Sequence, residues 1–110
     1  MVPIKNGNNS VIIWGRVSSN EATYREFESG KRVSNFSVQY DSVPGEEGGK
    51  RKGIYMDCSA WGEIADFARN LERGDTVLCC GRLDYDKYAS DKKGEDVYRL
   101  TCEFITAMGE

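Results

Sequence analysis

From Ile54 to Trp61 the chain alternates with a period of two. Ile54, Met56, Cys58 and Ala60 make one apolar row, and Tyr55, Asp57, Ser59 and Trp61 make the other. This is the pattern of a strand with one face in a core. A strand whose inner row is fully apolar does not need rings on its outer row. Tyr55 and Trp61 therefore predict a solvent-facing platform on which flat ligands stack, and nucleic-acid bases are the commonest of these.

The other segments frame that strand. Val11 to Val17 is a β-branched run interrupted by Gly15 and predicts a first strand with a bend or bulge. Ser18 to Glu21 reads as a turn, Thr23 to Glu28 as a short strand extension, and Glu28 to Lys31 as the next turn. Val33 to Tyr40 alternates cleanly, with Phe36, Val38 and Tyr40 on one face and Asn35, Ser37 and Gln39 on the other. Pro44 to Gly53 is a glycine-rich loop, acidic at its start and basic at its end. Ile64, Phe67, Ala68 and Leu71 fall at i, i+3, i+4 and i+7, so an amphipathic helix is expected from near Gly62 to Gly74. Thr76 to Leu83 predicts a fourth strand, and Tyr85 to Tyr88 extends it into a hairpin with its tip at Ser90 to Glu95. A fifth strand runs from Val97 to about Thr106, with Tyr98, Leu100, Cys102 and Phe104 expected on the core side. Residues 1–8 read as a loose lead-in, and residues 9–108 as one domain.

The order β-β-β-α-β-β predicts an all-β OB-fold, a five-stranded, partly open Greek-key barrel with one short helix between strands 3 and 4. In that fold the usual ligand surface is the face of strands 2 and 3 with the loops after strands 1 and 4. Tyr55 and Trp61 would lie on that face.

Composition narrows the chemistry. A chain of 110 residues, 39% hydrophobic and 30% charged, suits one globular domain. The longest apolar run, Val11 to Trp14, is too short to cross a bilayer, and no signal-peptide layout precedes it, so a cytoplasmic location is expected. The four cysteines (Cys58, Cys79, Cys80 and Cys102) form no C-x-x-C pair, and there is no histidine. They read as small buried hydrophobes, with no metal or cofactor implied. No nucleophile-elbow serine and no phosphate-cradling loop with a following lysine occurs, so the chain does not read as an enzyme. Fifteen basic and eighteen acidic residues give a net charge of −3. Any hold on nucleic acid must then come from local basic clusters and stacking.

Four segments together resemble the bacterial and phage single-stranded DNA-binding protein family. They are Val11 to Val17, Ser29 to Val38, Ala60 to Asp66, and Arg73 to Val77 leading to Gly81-Arg82-Leu83. The resemblance covers roughly residues 9 to 106, and the order and spacing of the four segments make it specific. It implies an OB-fold that binds single-stranded DNA with little sequence preference in replication, recombination and repair. It also implies a homotetramer, a dimer of dimers, associated with the nucleoid. The family's stacking aromatics match Tyr55, Trp61 and Tyr88; a fourth falls near Pro44 and has no aromatic counterpart here. Asp57, Asp84 and Asp86 depart from the family pattern and place carboxylates where phosphates would approach. Relatives often end in a flexible linker with an acidic tip that recruits replication and repair proteins. This sequence stops at Gly109-Glu110 without an acidic tail.

For phosphates the candidates are Lys50, Arg51 and Lys52 on the loop, with Arg16, Arg32 and Lys87. Ion pairing at the surface is the alternative role for Arg16 and Arg32, and Lys87 lies among Asp84, Asp86, Asp91 and Glu95. Trp14 suits the core or a subunit interface. Two other readings stay open: a protein-interaction module of a replication or mobile-element complex with weak or no DNA binding, and RNA as the preferred strand.

Overall fold

The computed structural model describes residues 9–19 and 22–108. The lead-in expected at residues 1–8 and the Asn20–Glu21 part of the first turn lie outside the described residues. Six strands form: β1 (Val11–Val17), β2 (Thr23–Glu26), β3 (Arg32–Val43), β4 (Lys52–Trp61), β5 (Thr76–Tyr85) and β6 (Tyr98–Ala107). Two short helices join them, α1 (Glu63–Ala68) between β4 and β5 and α2 (Lys87–Lys93) between β5 and β6. The strands hydrogen-bond in the order β1-β5-β6-β4-β3-β2, and β1 pairs back onto β3. Five strands thus close a barrel, and β2 hangs on the outer edge of β3 as a hairpin arm. This is the OB-fold.

Closure rests on two short seams. β1 meets β3 at Arg16–Gln39 and Val17–Val38. β4 meets β6 in parallel at Cys58–Leu100, Ser59–Thr101 and Ala60–Cys102. Glycine makes two close crossings possible. A Cβ at Gly15 would stand 2.2 Å from the Gln39 carbonyl oxygen, and one at Gly81 would stand 1.9 Å from the Thr101 carbonyl oxygen. Both are well inside van der Waals contact, so only a residue without a Cβ lets the strands approach this closely. The glycine read as a bend in the first strand is such a crossing point.

The interior holds Val17, Phe36, Val38, Cys58, Ala60, Val77, Cys79 and Leu100, with Ala68 and Leu71 closing one end. The inner row of β4 is as expected, with Cys58 and Ala60 buried and Ile54 and Met56 half-buried.

The structure corrects the sequence reading at several points. Residues 87–93, expected in a hairpin, form α2: the Asp86 side chain accepts from the Ala89 N–H at 3.0 Å and Gly94 takes a positive φ of 74°. These are the capping residues that favour a helix over a turn. The helix expected from Gly62 to Gly74 is helical only over Glu63–Ala68. It buries Ala65 and Ala68 and leaves Phe67 exposed. Tyr40, expected inward, is exposed because the β3–β4 register slips between Gln39 and Asp41, making Tyr40 the extra residue of a bulge. Phe104 is turned out by a second bulge: Gly81 faces Cys102 while Cys80 faces Phe104, so Glu103 is unmatched. One unmatched residue flips the parity of all that follow, and Ile105 packs inward in place of Phe104. Tyr98 keeps no place in the core either. It is exposed at the end of the hairpin, where it meets the Tyr85 ring edge to face at 5.7 Å.

Candidate nucleic-acid interface

The register of β1 to β4 fixes what the outer face of the barrel displays. Arg16 pairs with Gln39 and Gln39 with Tyr55, so these three side chains lie in one row across β1, β3 and β4. Arg25 pairs with Val33 and Val33 with Trp61, giving a second such row across β2, β3 and β4. Between them lie Ser37 with Asp57, and Thr23 and Asn35 with Ser59. The surface therefore has a polar floor and an aromatic at each end, each ring sharing its row with an arginine. Six residues of strand separate Tyr55 from Trp61, about 20 Å at ~3.3 Å per residue.

Both rings are open to solvent, Tyr55 at 54% and Trp61 at 46% relative exposure. Trp61 is braced from one side. Phe27, at the end of β2, stacks on it with 6.2 Å between centroids and 15° between planes. Arg25 covers the Phe27 ring at 4.6 Å. A groove of about 430 Å³ opens beside Trp61 along Gly30, Lys31, Arg32 and Gly62. At the other end Tyr55 borders a recess of about 370 Å³ with Arg16, Ser18, Gln39 and Arg73. The Tyr55 hydroxyl lies over Gly53, where a Cβ would come within 2.5 Å of it.

The floor is pinned from its β6 flank. Ser59 donates to Asn35 Oδ1 at 2.7 Å, and Arg99 Nη1 reaches across from β6 to donate to the Ser59 hydroxyl at 3.2 Å and the Cys58 carbonyl at 3.3 Å. Arg99 also pairs with Asp86 at 3.5 Å. Asp86 is therefore occupied as both helix cap and ion-pair partner. Asp84 accepts from Thr101 at 2.5 Å and pairs with Arg82 at 3.1 Å. Two of the three carboxylates that depart from the family pattern are thus matched to donors. Asp57 is exposed on the outer row between the rings.

The candidate cations separate into engaged and open groups. Arg32 makes a two-pronged pair with Asp66, Nε to Oδ1 and Nη2 to Oδ2 at 2.8 Å each, so the ion-pairing role named for it is the one observed. This contact holds the Asp66 carboxyl below its usual range and raises the Arg32 guanidinium. Lys87 pairs with Asp91 along α2 at 2.7 Å. Arg51 donates to the Ser42 hydroxyl and carbonyl at 2.8 and 2.9 Å, which fixes it against β3. Lys50, Lys52 and Arg16 are exposed and form no ion pair among the described residues. Tyr88 projects from α2 at 76% exposure, with Lys92 Nζ 5.8 Å from its ring centroid. It is on a separate element from the two rings of β4.

Arg25 and Phe27 escaped the sequence reading. Their signal was present, since the alternation of Thr23-Tyr24-Arg25-Glu26-Phe27 puts Thr23, Arg25 and Phe27 on one side. What it lacked was the partner: nothing in one sequence tells which strand the segment lies against.

Trp14, open as core or interface in the sequence reading, lies outside the core at 62% exposure, and Ile12 and Phe104 are exposed as well. Among the described residues no helix is long and apolar enough to cross a membrane.

Comparison with known proteins agrees with this fold. The single-stranded DNA-binding protein of Thermus aquaticus superposes with a TM-score of 0.72 at 21% identity over 94% of this chain. A deletion mutant of it gives 0.73 at 23% identity, also over 94% of this chain. The chain spans only about two fifths of that protein, 41% and 42% in the two structures. The protein priB from Ralstonia solanacearum superposes with a TM-score of 0.66 at 16% identity, covering 93% of this chain and 100% of its own. At these identities the likeness is one of fold. No curated protein sequence matches the chain. The model of the "Single-strand binding protein family" matches residues 8–106. That family is one of binding proteins rather than enzymes, and this chain belongs to it.

Proposed function

We propose that this chain binds single-stranded DNA with little sequence preference and protects it during replication, recombination and repair. Bases stack on Tyr55 and Trp61, with Tyr88 as an outlying contact. Every base has a π-face, so stacking on rings tolerates any sequence. Phosphates are met by Lys50 and Arg51 on the loop between β3 and β4 and by Lys52 at the start of β4, and by Arg16 and Arg25 at the two ends of the platform. Arg32 and Lys87 reach the backbone only by exchanging a carboxylate partner for a phosphate. The observation that carries this reading is the pair of rows, each setting an exposed ring in line with an arginine two strands away, on a face whose opposite side is a complete core.

The exposed Ile12, Trp14 and Phe104 support assembly into a homo-oligomer, for which the family form is a tetramer. Its place is the cytoplasm, at the nucleoid. The replication and repair proteins that share single strands are its expected partners.

Titration with dT oligomers, followed by tryptophan emission, tests the proposal. Saturable quenching is expected, as is a log–log salt slope between about −2, if only the three cations at 50–52 engage, and about −3.5, if Arg16 and Arg25 engage as well, at ~0.7 per phosphate. Absence of quenching and of any mobility shift at low salt would overturn it. That outcome would favour a protein-interaction module, a reading supported by the exposed Asp57 and by the net charge of −3. Competition between dT and rU oligomers separates DNA from RNA.

A further inference from the structure

Three of the four cysteines, which the sequence presents as scattered small hydrophobes, meet inside the barrel. Cys58 comes from β4, Cys79 from β5 and Cys102 from β6, and their three sulfurs lie within 4.8 Å of one another. All three residues are buried and all are free thiols. Cys80 follows Cys79 directly but points the other way along the strand and is half-buried. The cluster stands at the parallel seam: Cys58 pairs with Leu100, next but one to Cys102, and Cys102 pairs with Ala60.

A triangle with edges no longer than this places its centre at most about 2.8 Å from each sulfur, against ~2.3 Å for a Zn–S bond. A small contraction would bring all three onto one central atom. Which atom is decided by charge and by the missing fourth donor. The chain has no histidine, and among the described residues no carboxylate joins the three thiols. Zinc in a structural site takes four ligands, and with three thiolates it would leave a net negative charge in an apolar core. Cu(I) would leave a larger one. An uncompensated charge there costs several kcal/mol or more. A trivalent centre with three thiolates is neutral, and its lone pair takes the fourth position.

We propose that Cys58, Cys79 and Cys102 form a binding site for a trivalent thiophilic metalloid, of which arsenous acid, As(OH)₃, is the type. Each hydroxyl of the acid exchanges with one thiol. The S–H proton leaves with the hydroxyl as water, so three As–S bonds form while three As–O and three S–H bonds break. No electron is transferred, and the acid enters the barrel uncharged. The product ties β4, β5 and β6 together across the seam, directly behind the strand that carries Tyr55 and Trp61.

The test uses the full reduced chain with sodium arsenite. Native mass spectrometry should show one arsenic per chain with three waters lost, and the unfolding midpoint should rise with arsenite concentration. Cys79→Ala should abolish the adduct and Cys80→Ala should keep it. X-ray absorption at the arsenic edge of the unsubstituted protein should find three sulfur neighbours and no oxygen, a readout that does not depend on a variant folding. No adduct in protein whose four thiols react after unfolding would overturn the site, as would an arsenic shell containing oxygen. An equally tight one-to-one zinc complex would overturn the charge argument that selects a trivalent ligand.

Discussion

Replacing Trp61 with alanine removes one end of the platform, and its effect divides into two parts that can be measured apart. The indole is about half exposed and is stacked on Phe27. Losing the aromatic pair costs ~0.5–1.5 kcal/mol of stability beyond the buried area. A domain of this size has roughly 5–15 kcal/mol in hand, so the variant stays folded. Binding loses one stacked base, worth ~1–3 kcal/mol. At tenfold per 1.4 kcal/mol this weakens Kd by about 5-fold to about 150-fold. Trp61→Phe keeps a ring over Phe27 and should recover most of the loss. Fluorescence anisotropy of a labelled dT oligomer at fixed salt gives Kd, and thermal unfolding of the same samples gives the stability. The design has an internal check, because Phe27→Ala leaves the indole in place and removes only its support. It should weaken binding less than Trp61→Ala while lowering Tm. A Trp61→Ala protein that binds within about twofold of the parent would refute the stacking argument, since no base could then rest on that ring.

Other expected outcomes are simpler. Asp57→Asn removes the exposed carboxylate between the rings; the same anisotropy assay should show tighter binding at low salt and a gain that shrinks as salt screens it. Gly15→Ala drives a methyl group into the Gln39 carbonyl, and thermal unfolding should show a loss of roughly 1–3 kcal/mol or failure to fold. Asp66 tests acid stability. Its hydrogen bonds from Arg32 hold the folded pKa below the ordinary carboxylate value, so its contribution is present above that ordinary value and is lost as pH falls through the depressed one. The Asp66→Asn variant should therefore have a flatter acid limb in urea melts than the parent, and an unchanged limb would count against the Arg32 contact.

The fold was legible because its signals are local. The alternation in 33–39 and 54–61, the bend glycine at 15 and the helix after Trp61 all state a direction for each side chain without reference to a partner. Errors arose where a partner strand decides. Tyr40 and Phe104 each follow a run of correct alternation, and each is displaced by a bulge that shows only when the opposite strand is laid beside it. The missed α2 is a different case. Its cap, Asp86, and its stop, Gly94, were in plain sight, but a seven-residue helix without a strong apolar stripe resembles a polar hairpin tip. At the site, Tyr55 and Trp61 followed from parity alone. The engagement of Arg32 with Asp66 and the bracing of Trp61 by Phe27 required the β2–β3 register, which no residue type encodes.

The two seams that close the barrel also govern how the chain reaches this state. β1–β5, β3–β4 and β5–β6 each zip along several residues, whereas β1 joins β3 through two residue pairs and β4 joins β6 through three. The β4–β6 contacts connect residues some forty positions apart, so they carry a large loop-closure cost for few hydrogen bonds. Closure should therefore be the late step of folding and the first to reverse. Exchange of those amides within Cys58–Ala60 and Leu100–Cys102 that donate across this seam would then be faster than in the middle of the β3–β4 ladder. The open form of this molecule is a curled ribbon with β4 at one free edge.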